Sequence, residues 1–249
     1  MEAILQTKNL SKAFGGLVAV DHVNFSMSRG ELRSMIGPNG CGKTTFFNLV
    51  TGKFKPTEGR VFYKGEDITG LSIHEIARKG IGRKFQVPSI FDSLSVYENI
   101  RVPFFSDQKR QSMFVNRSIR KDYHDQIMAI IQDVRLTEKV NEVAKNLSHG
   151  EKQWLEIGMA LAGKPDLLLL DEPTAGMTLG ETRATVDLIR SISSGFHLSI
   201  LVIEHDISFV REIESRVTVL YKGQIINEGT FEEIQKDTTV KEIYLGRGD

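Results

Sequence analysis

The stretch GPNGCGKT, from Gly37 to Thr44, carries the densest chemistry in this sequence. It fits the pattern G-x-x-x-x-G-K-[ST], in which the glycines let backbone N–H groups turn inward around phosphates. Lys43 would set a point charge against the β- and γ-phosphates, and the Thr44 hydroxyl would be a ligand for Mg2+. A glycine turn that merely caps a helix needs neither the lysine nor the hydroxyl. Cys41 lies inside the same loop, beside Lys43 and a helix start, a setting that can lower a thiol pKa. The reading preferred over that one is a small residue that fits.

Two further places deliver polar side chains from apolar runs. DLLLLDEP ends a buried strand in two acids: Asp171 is suited to hold Mg2+ through water, and Glu172 to orient and deprotonate an attacking water. SILVIEHD ends in Glu204, His205 and Asp206, and a neutral His205 could donate to the γ-phosphate or to that water. Glu204 and Asp206 read as solvated or helix-capping charges. LSHGEKQ, residues 147–153, opens a helix whose first turn exposes backbone N–H groups around Gly150, a place for an anion. Ser148 and Glu151 also satisfy a capping box, and by itself that explanation suffices. A domain of this size already has its nucleotide loop at Gly37, however. A second phosphate site makes sense if it faces the nucleotide of another copy, two chains closing head to tail over two nucleotides.

These groups need elements that bring them to one edge. ELRSMIG, DLLLLD and SILVIE are continuous apolar runs, the pattern of parallel strands buried on both faces. Alternating with helical patterns, they predict an α/β class with a mainly parallel sheet. TTFFNLVTG, ending at Gly52, supplies the helix after the phosphate loop. VNFSM, with Val23, Phe25 and Met27 inward, and GRVFYKG near residue 60 alternate with period two and read as half-exposed antiparallel strands. Between Gln86 and Leu147 the sequence turns charged, poor in Gly and Pro, and helical in period, as a lobe inserted between core strands would be. The last twenty residues read as one short helix and a frayed end.

The 249 residues, 40% of them hydrophobic, are enough for one sizeable core. Equal numbers of basic and acidic residues, 32 each, give no electrostatic footprint for nucleic acid. No apolar run approaches the ~18 residues of a membrane span, and the first residues lack the pattern of a secretory signal. With one cysteine, no internal disulfide can form. The expectation is a cytoplasmic chain that would serve a membrane only through other chains.

Taken in order and spacing, the phosphate loop, Gln86, LSHGE, LLLLDEP and EHD resemble the ATP-binding subunit of an ABC transporter, over essentially the whole chain. That resemblance implies a P-loop NTPase fold: a mainly parallel core sheet with an antiparallel β subdomain (residues 1–86 and 164–249) and an inserted helical subdomain (about 87–163). It implies that Gly37, Pro38, Asn39, Gly40, Cys41, Gly42, Lys43, Thr44 and Thr45 hold ATP with Mg2+, and that Phe14 stacks on adenine. Gln86 would sense the γ-phosphate, share in holding the metal with Thr44 and Asp171, and link to the helical lobe. Ser148 and Gly150 would bind the partner's ATP, while Lys43, Gln86, Glu172 and His205 carry the chemistry. An aromatic face is all that such stacking needs, and the alternative for Phe14 is an ordinary core residue. The family's usual LSGGQ is LSHGE here, with His149 and Glu151 as departures, and Thr178 stands where an Asp often follows DEPT.

The stretches RKFQ, LSHGEKQWLEIGMAL and DEPTAGMT resemble first the ATPases of bacterial urea importers and next those of branched-chain amino acid importers. Such systems join two ATPase subunits, alike or different, to two transmembrane permease subunits and a periplasmic binding protein, at the cytoplasmic face of the inner membrane. Ile90, Phe91, Leu94 and Val96 could line a groove for a membrane subunit's helix, or pack the lobe. A soluble ABC ATPase acting on DNA or ribosomes usually carries coiled coils or a second fused domain, and a P-loop kinase has no use for LSHGE.

Overall fold

The computed structural model describes residues 2–84, 90–106 and 117–245; Gln86 lies outside the described residues. Two long strands, β1 (Ala3–Phe14) and β2 (Leu17–Ser28), pair antiparallel, and β1 also pairs antiparallel with β4 (Glu58–Tyr63). Val23, Phe25 and Met27 all point into the core, as the period-two alternation requires. The short β5 (Glu66–Asp67) completes this four-stranded sheet, in the order β2-β1-β4-β5.

The second sheet has the order β10-β9-β3-β8-β7-β6. In it β3 (Leu32–Ile36), β6 (Ile81–Lys84), β7 (Leu167–Asp171), β8 (Ser199–Ile203) and β9 (Arg216–Tyr221) are mutually parallel, and only β10 (Gln224–Gly229) runs the other way. Leu167 and Leu169 face the core beneath the antiparallel sheet, while Leu168 and Leu170 face the helices on the other side. Both faces are therefore covered, which is why these strands read as unbroken apolar runs. Each fully buried Leu contributes roughly 1.5–3 kcal/mol. Strand β6 escapes the sequence pattern, because IGRK is short and half charged; the side chains of both its cations are nonetheless nearly covered.

Three helices beyond β6 pack on one another: α3 (Val96–Arg101), α4 (Arg117–Asp133) and α5 (His149–Ala162). Ile127, Ile131 and Val134 recur at helical spacing on one buried stripe. Gly158 of α5 lets α3 approach closely, since a Cβ there would lie 2.6 Å from Ile100 Cδ1. Of the apolar residues after β6, Val96 is fully buried in the lobe and Ile90 packs against its core, whereas Phe91 is exposed. Among the described residues, no helix is long and apolar enough to cross a membrane.

The chain's end differs from the sequence expectation. Two helices, α8 (Phe231–Lys236) and α9 (Thr238–Leu245), stand where one was expected. Asp237 accounts for the difference: it ends α8, and its carboxylate accepts a hydrogen bond from the Val240 N–H at 2.9 Å in the first turn of α9.

Candidate functional site

In a parallel sheet, every strand delivers its C-terminal residue to the same edge, where ligands of such sheets bind. Met35 of β3 pairs with Ile203 of β8, and Ile203 pairs with Asp171 of β7. The phosphate loop, the two acids and the EHD turn therefore emerge side by side.

The loop leaves β3 at Ile36 and enters α1 (Lys43–Val50). A Cβ at Gly37 would lie 2.1 Å from the Leu220 carbonyl oxygen, and one at Gly42 would lie 2.2 Å from that of Ala19, at φ +111°. Strands β9 and β2 press on the loop so closely that only glycine fits. Lys43 is buried and donates to the carbonyls of Gly37 (2.6 Å) and Pro38 (3.2 Å), so its ammonium sits within the loop's own curve. Asn39 and Gly40 form the exposed crown, and Thr44 and Thr45 lie half-buried in the first turn of α1. Phe14, at the tip of the β1–β2 hairpin, is 43% exposed and meets Phe54 edge-on at 5.3 Å, so it is not a core residue.

Cys41 does not take the alternative of a lowered thiol pKa. Burial pushes the thiol up, and the Lys43 charge offsets this only in part. Alkylation by iodoacetamide should therefore be slow at pH 7, accelerate as the pH rises, and slow further with ATP. Equal labelling with and without ATP, followed by mass spectrometry, would count against placing Cys41 in a nucleotide loop.

Asp171 is buried and accepts a hydrogen bond from Arg83 Nη2 at 3.1 Å. Arg83, on β6, also donates through Nη1 to Asn48 Oδ1 (2.7 Å) and Thr51 Oγ1 (3.1 Å), tying the acid to α1. Burial raises the Asp171 carboxyl pKa, and Arg83 pulls it partly back. Deleting one partner of a buried pair leaves an uncompensated charge. Arg83→Met is thus expected to cost about 3–5 kcal/mol in urea unfolding; a loss below about 1 kcal/mol would refute this role. Mg2+ takes one or two protein oxygens and keeps several waters. The Thr44 hydroxyl and the Asp171 carboxylate are donors of that kind, and the pairing of Asp171 with Arg83 suits contact through water. Among the described residues, no group of three or more His, Cys, Asp or Glu assembles to hold a metal by itself.

Glu172 follows with φ +46°, unusual for a side-chain-bearing residue, and its N–H donates to the Ile203 carbonyl at 2.9 Å. Its Oε1 lies 3.4 Å from His205 Nδ1. Behind them sits Glu204, which corrects a second expectation: it is 1% exposed, not solvated. Its carboxylate accepts from Thr174 N (3.2 Å), Thr174 Oγ1 (2.6 Å) and His205 N (3.1 Å), and burial raises its pKa. One carboxylate thus fastens the DEPT turn to the His205 turn. Asp206 does cap α7 (Ile207–Glu212), accepting from Ser208 N at 2.8 Å.

Ser148 caps α5 in a complete capping box with Glu151, whose carboxylate also holds Lys139 at 2.6 Å. Among the hydrogen bonds and ion pairs of the described residues, none joins Ser148, His149 or Gly150 to the phosphate loop. His149 instead contacts the carbonyl of Ala175, and Gly150 abuts Glu181. Thr178, where an Asp is usual, caps α6 (Leu179–Phe196) in a capping box with Glu181. Arg83, Glu204 and the buried Lys84–Glu156 pair (3.6 Å) between β6 and α5 were missed in the sequence. A charged residue inside a short strand was the only signal for Arg83 and Lys84.

Fold and site together define a P-loop nucleoside triphosphatase. Residues 20–175 match the ABC transporter family. The chain is 36% identical to the high-affinity branched-chain amino acid transport ATP-binding protein BraF of Pseudomonas aeruginosa, over 98% of each chain. It is 35% identical to LivG of Escherichia coli K12, a protein of the same description, again over 98% of each. Among solved structures, the ADP conformation of an ATP-binding cassette of an ABC transporter superposes with a TM-score of 0.86 at 32% identity, covering 99% of this chain and 100% of that one. A dimeric post-hydrolysis cassette bound to ADP and Pi gives 0.77 at 25% identity, covering 91% and 98%. The chain belongs to the ABC transporter family and is an ABC-type ATPase.

Proposed function

We propose that two copies, or this chain and a similar one, close head to tail over two ATP molecules and that this closure drives uptake through two separate membrane subunits. Residues 37–45 bind the phosphates, with Lys43 against the β- and γ-phosphates, and the exposed face of Phe14 stacks on adenine. Mg2+, held by Thr44 and by Asp171 through water, with Gln86 sharing in its coordination, would screen the phosphate charge. Glu172 takes a proton from the attacking water. His205 turns Nδ1 to Glu172; with both ring nitrogens protonated, its Nε2–H also donates to a γ-phosphate oxygen. Ser148 and the α5 N–H groups grip the partner's γ-phosphate, and its loss on hydrolysis releases the pair.

One observation carries this reading: the loop, Asp171, Glu172 and His205 share a single sheet edge, whereas among the described residues no hydrogen bond or ion pair joins Ser148, His149 or Gly150 to the phosphate loop of the same chain. The dimeric relative with ADP and Pi supports the pairing.

The transported solute is, in this proposal, a branched-chain amino acid, delivered by a periplasmic binding protein to a complex on the cytoplasmic face of the inner membrane. The BraF and LivG relatives support that choice; urea rests on the sequence resemblance alone. Co-purification of polytopic membrane proteins and ATP-dependent uptake of labelled leucine by the reconstituted complex are the expected results. Uptake of urea but not leucine would reverse the choice of solute, and co-purification with ribosomes would overturn transport itself.

A further inference from the structure

Resting on the head-to-tail reading, we propose that His149 is a positioning residue coupling the two ATP sites from within one chain. The helix end that reads the partner's nucleotide and the loop that carries the chain's own base are separate in sequence, yet they touch. His149 Nε2 lies 2.8 Å from the Ala175 carbonyl oxygen, which fixes the tautomer: that nitrogen bears the proton and donates it. Ala175 stands three residues beyond Glu172, and its N–H donates to the Glu172 carbonyl at 3.2 Å. The imidazole also lies against Gly176, where a Cβ would come within 3.4 Å of Nε2. A shift of the α5 end therefore pulls, through one hydrogen bond and one turn, on the backbone that holds Glu172.

A second contact runs parallel to the first. A Cβ on Gly150 would lie 2.8 Å from Glu181 Oε1, so glycine lets the α5 end rest on that carboxylate. Glu181 is itself fixed by the Thr178 N–H and hydroxyl, each at 2.9 Å. Its pKa is lowered, first by those Thr178 bonds and then by the Gly150 N–H and the nearby His149. Thr178 thus keeps the loop in place as a cap, while the family's usual glycine at position 149 could not supply the side-chain link. Binding of the partner's γ-phosphate at Ser148 and Gly150 then bears on Glu172 of the same chain, which is a coupling free energy between two sites.

The test uses the full-length chain, with steady-state ATP hydrolysis measured at several chain concentrations. In His149→Ala, kcat is expected to fall about five-fold, and the Hill coefficient for ATP to drop from above one to about one. KM should change less than about two-fold, because the phosphate loop is untouched. His149→Gln, whose Nε2 can donate to the same carbonyl, should restore the Hill coefficient and most of kcat. Wild-type kcat and Hill coefficient in the alanine variant would overturn the bridge, and so would a glutamine variant no better than alanine. If wild-type turnover per chain does not depend on chain concentration, the head-to-tail pairing fails, and this inference with it. If turnover does depend on concentration and alanine is silent, only the bridge fails.

Discussion

Glu172→Gln is expected to lower ATP turnover about 1,000-fold while leaving ATP binding intact. The substitution keeps the side chain's shape and hydrogen-bonding reach but removes its ability to accept a proton. The backbone around it is fixed independently, by the bond from the Glu172 N–H to the Ile203 carbonyl on β8. The fold and the position of His205 should therefore survive. In the proposed reading, binding depends on the loop at residues 37–45, which the change does not touch. Because the γ-phosphate then persists, chains that close over ATP cannot reopen, and a dimer should accumulate. Size-exclusion chromatography with ATP and Mg2+, run beside a phosphate-release assay, reads both effects. Turnover within about ten-fold of wild type would assign the base elsewhere.

The second large effect is expected at Ser148, where a structural role and a functional one must be separated. Ser148 caps α5, and losing a cap costs only about 1 kcal/mol. Ser148→Asp preserves the cap, since Asp is as good an N-cap as Ser, but sets a negative charge where the partner's γ-phosphate would lie. Ser148→Arg blocks the same place by bulk. Both should retain ATP binding to the single chain and lose turnover on the order of 100-fold, through like-charge repulsion or exclusion. Thermal unfolding should show Ser148→Asp as stable as wild type. An aspartate variant that hydrolyses ATP at full rate would reduce LSHGE to a capping box and remove the sandwich.

The elements that carry the candidate site were largely legible where the pattern is local. The spacing of Gly37, Gly42, Lys43 and Thr44 is a backbone geometry written in consecutive residues. The strands that carry Asp171 and His205 are unbroken apolar runs because both faces of the sheet are covered. In the antiparallel sheet, β4 and the part of β2 where Val23, Phe25 and Met27 alternate with exposed neighbours were equally plain, whereas β1 was not read from the sequence. Strand β6 was illegible: two of its four residues are Arg83 and Lys84, cations with covered side chains that the hydrophobic period does not count.

What the sequence determined by itself was the set of parts and their order: a phosphate loop between strand and helix, acids and a histidine at strand ends, and a second helix start with capping chemistry. Tertiary structure decided which charges meet. Arg83 holds Asp171 across 88 positions of sequence, Glu204 is buried rather than solvated because Thr174 and the His205 N–H satisfy it, and the burial of Cys41 outweighs its lysine. It also decided that His149 reaches Ala175. The physical reason is one of range. Periodicity and turn chemistry act over a few residues and leave a local trace, whereas desolvation and ion pairing depend on neighbours that only the folded sheet and its helices bring together.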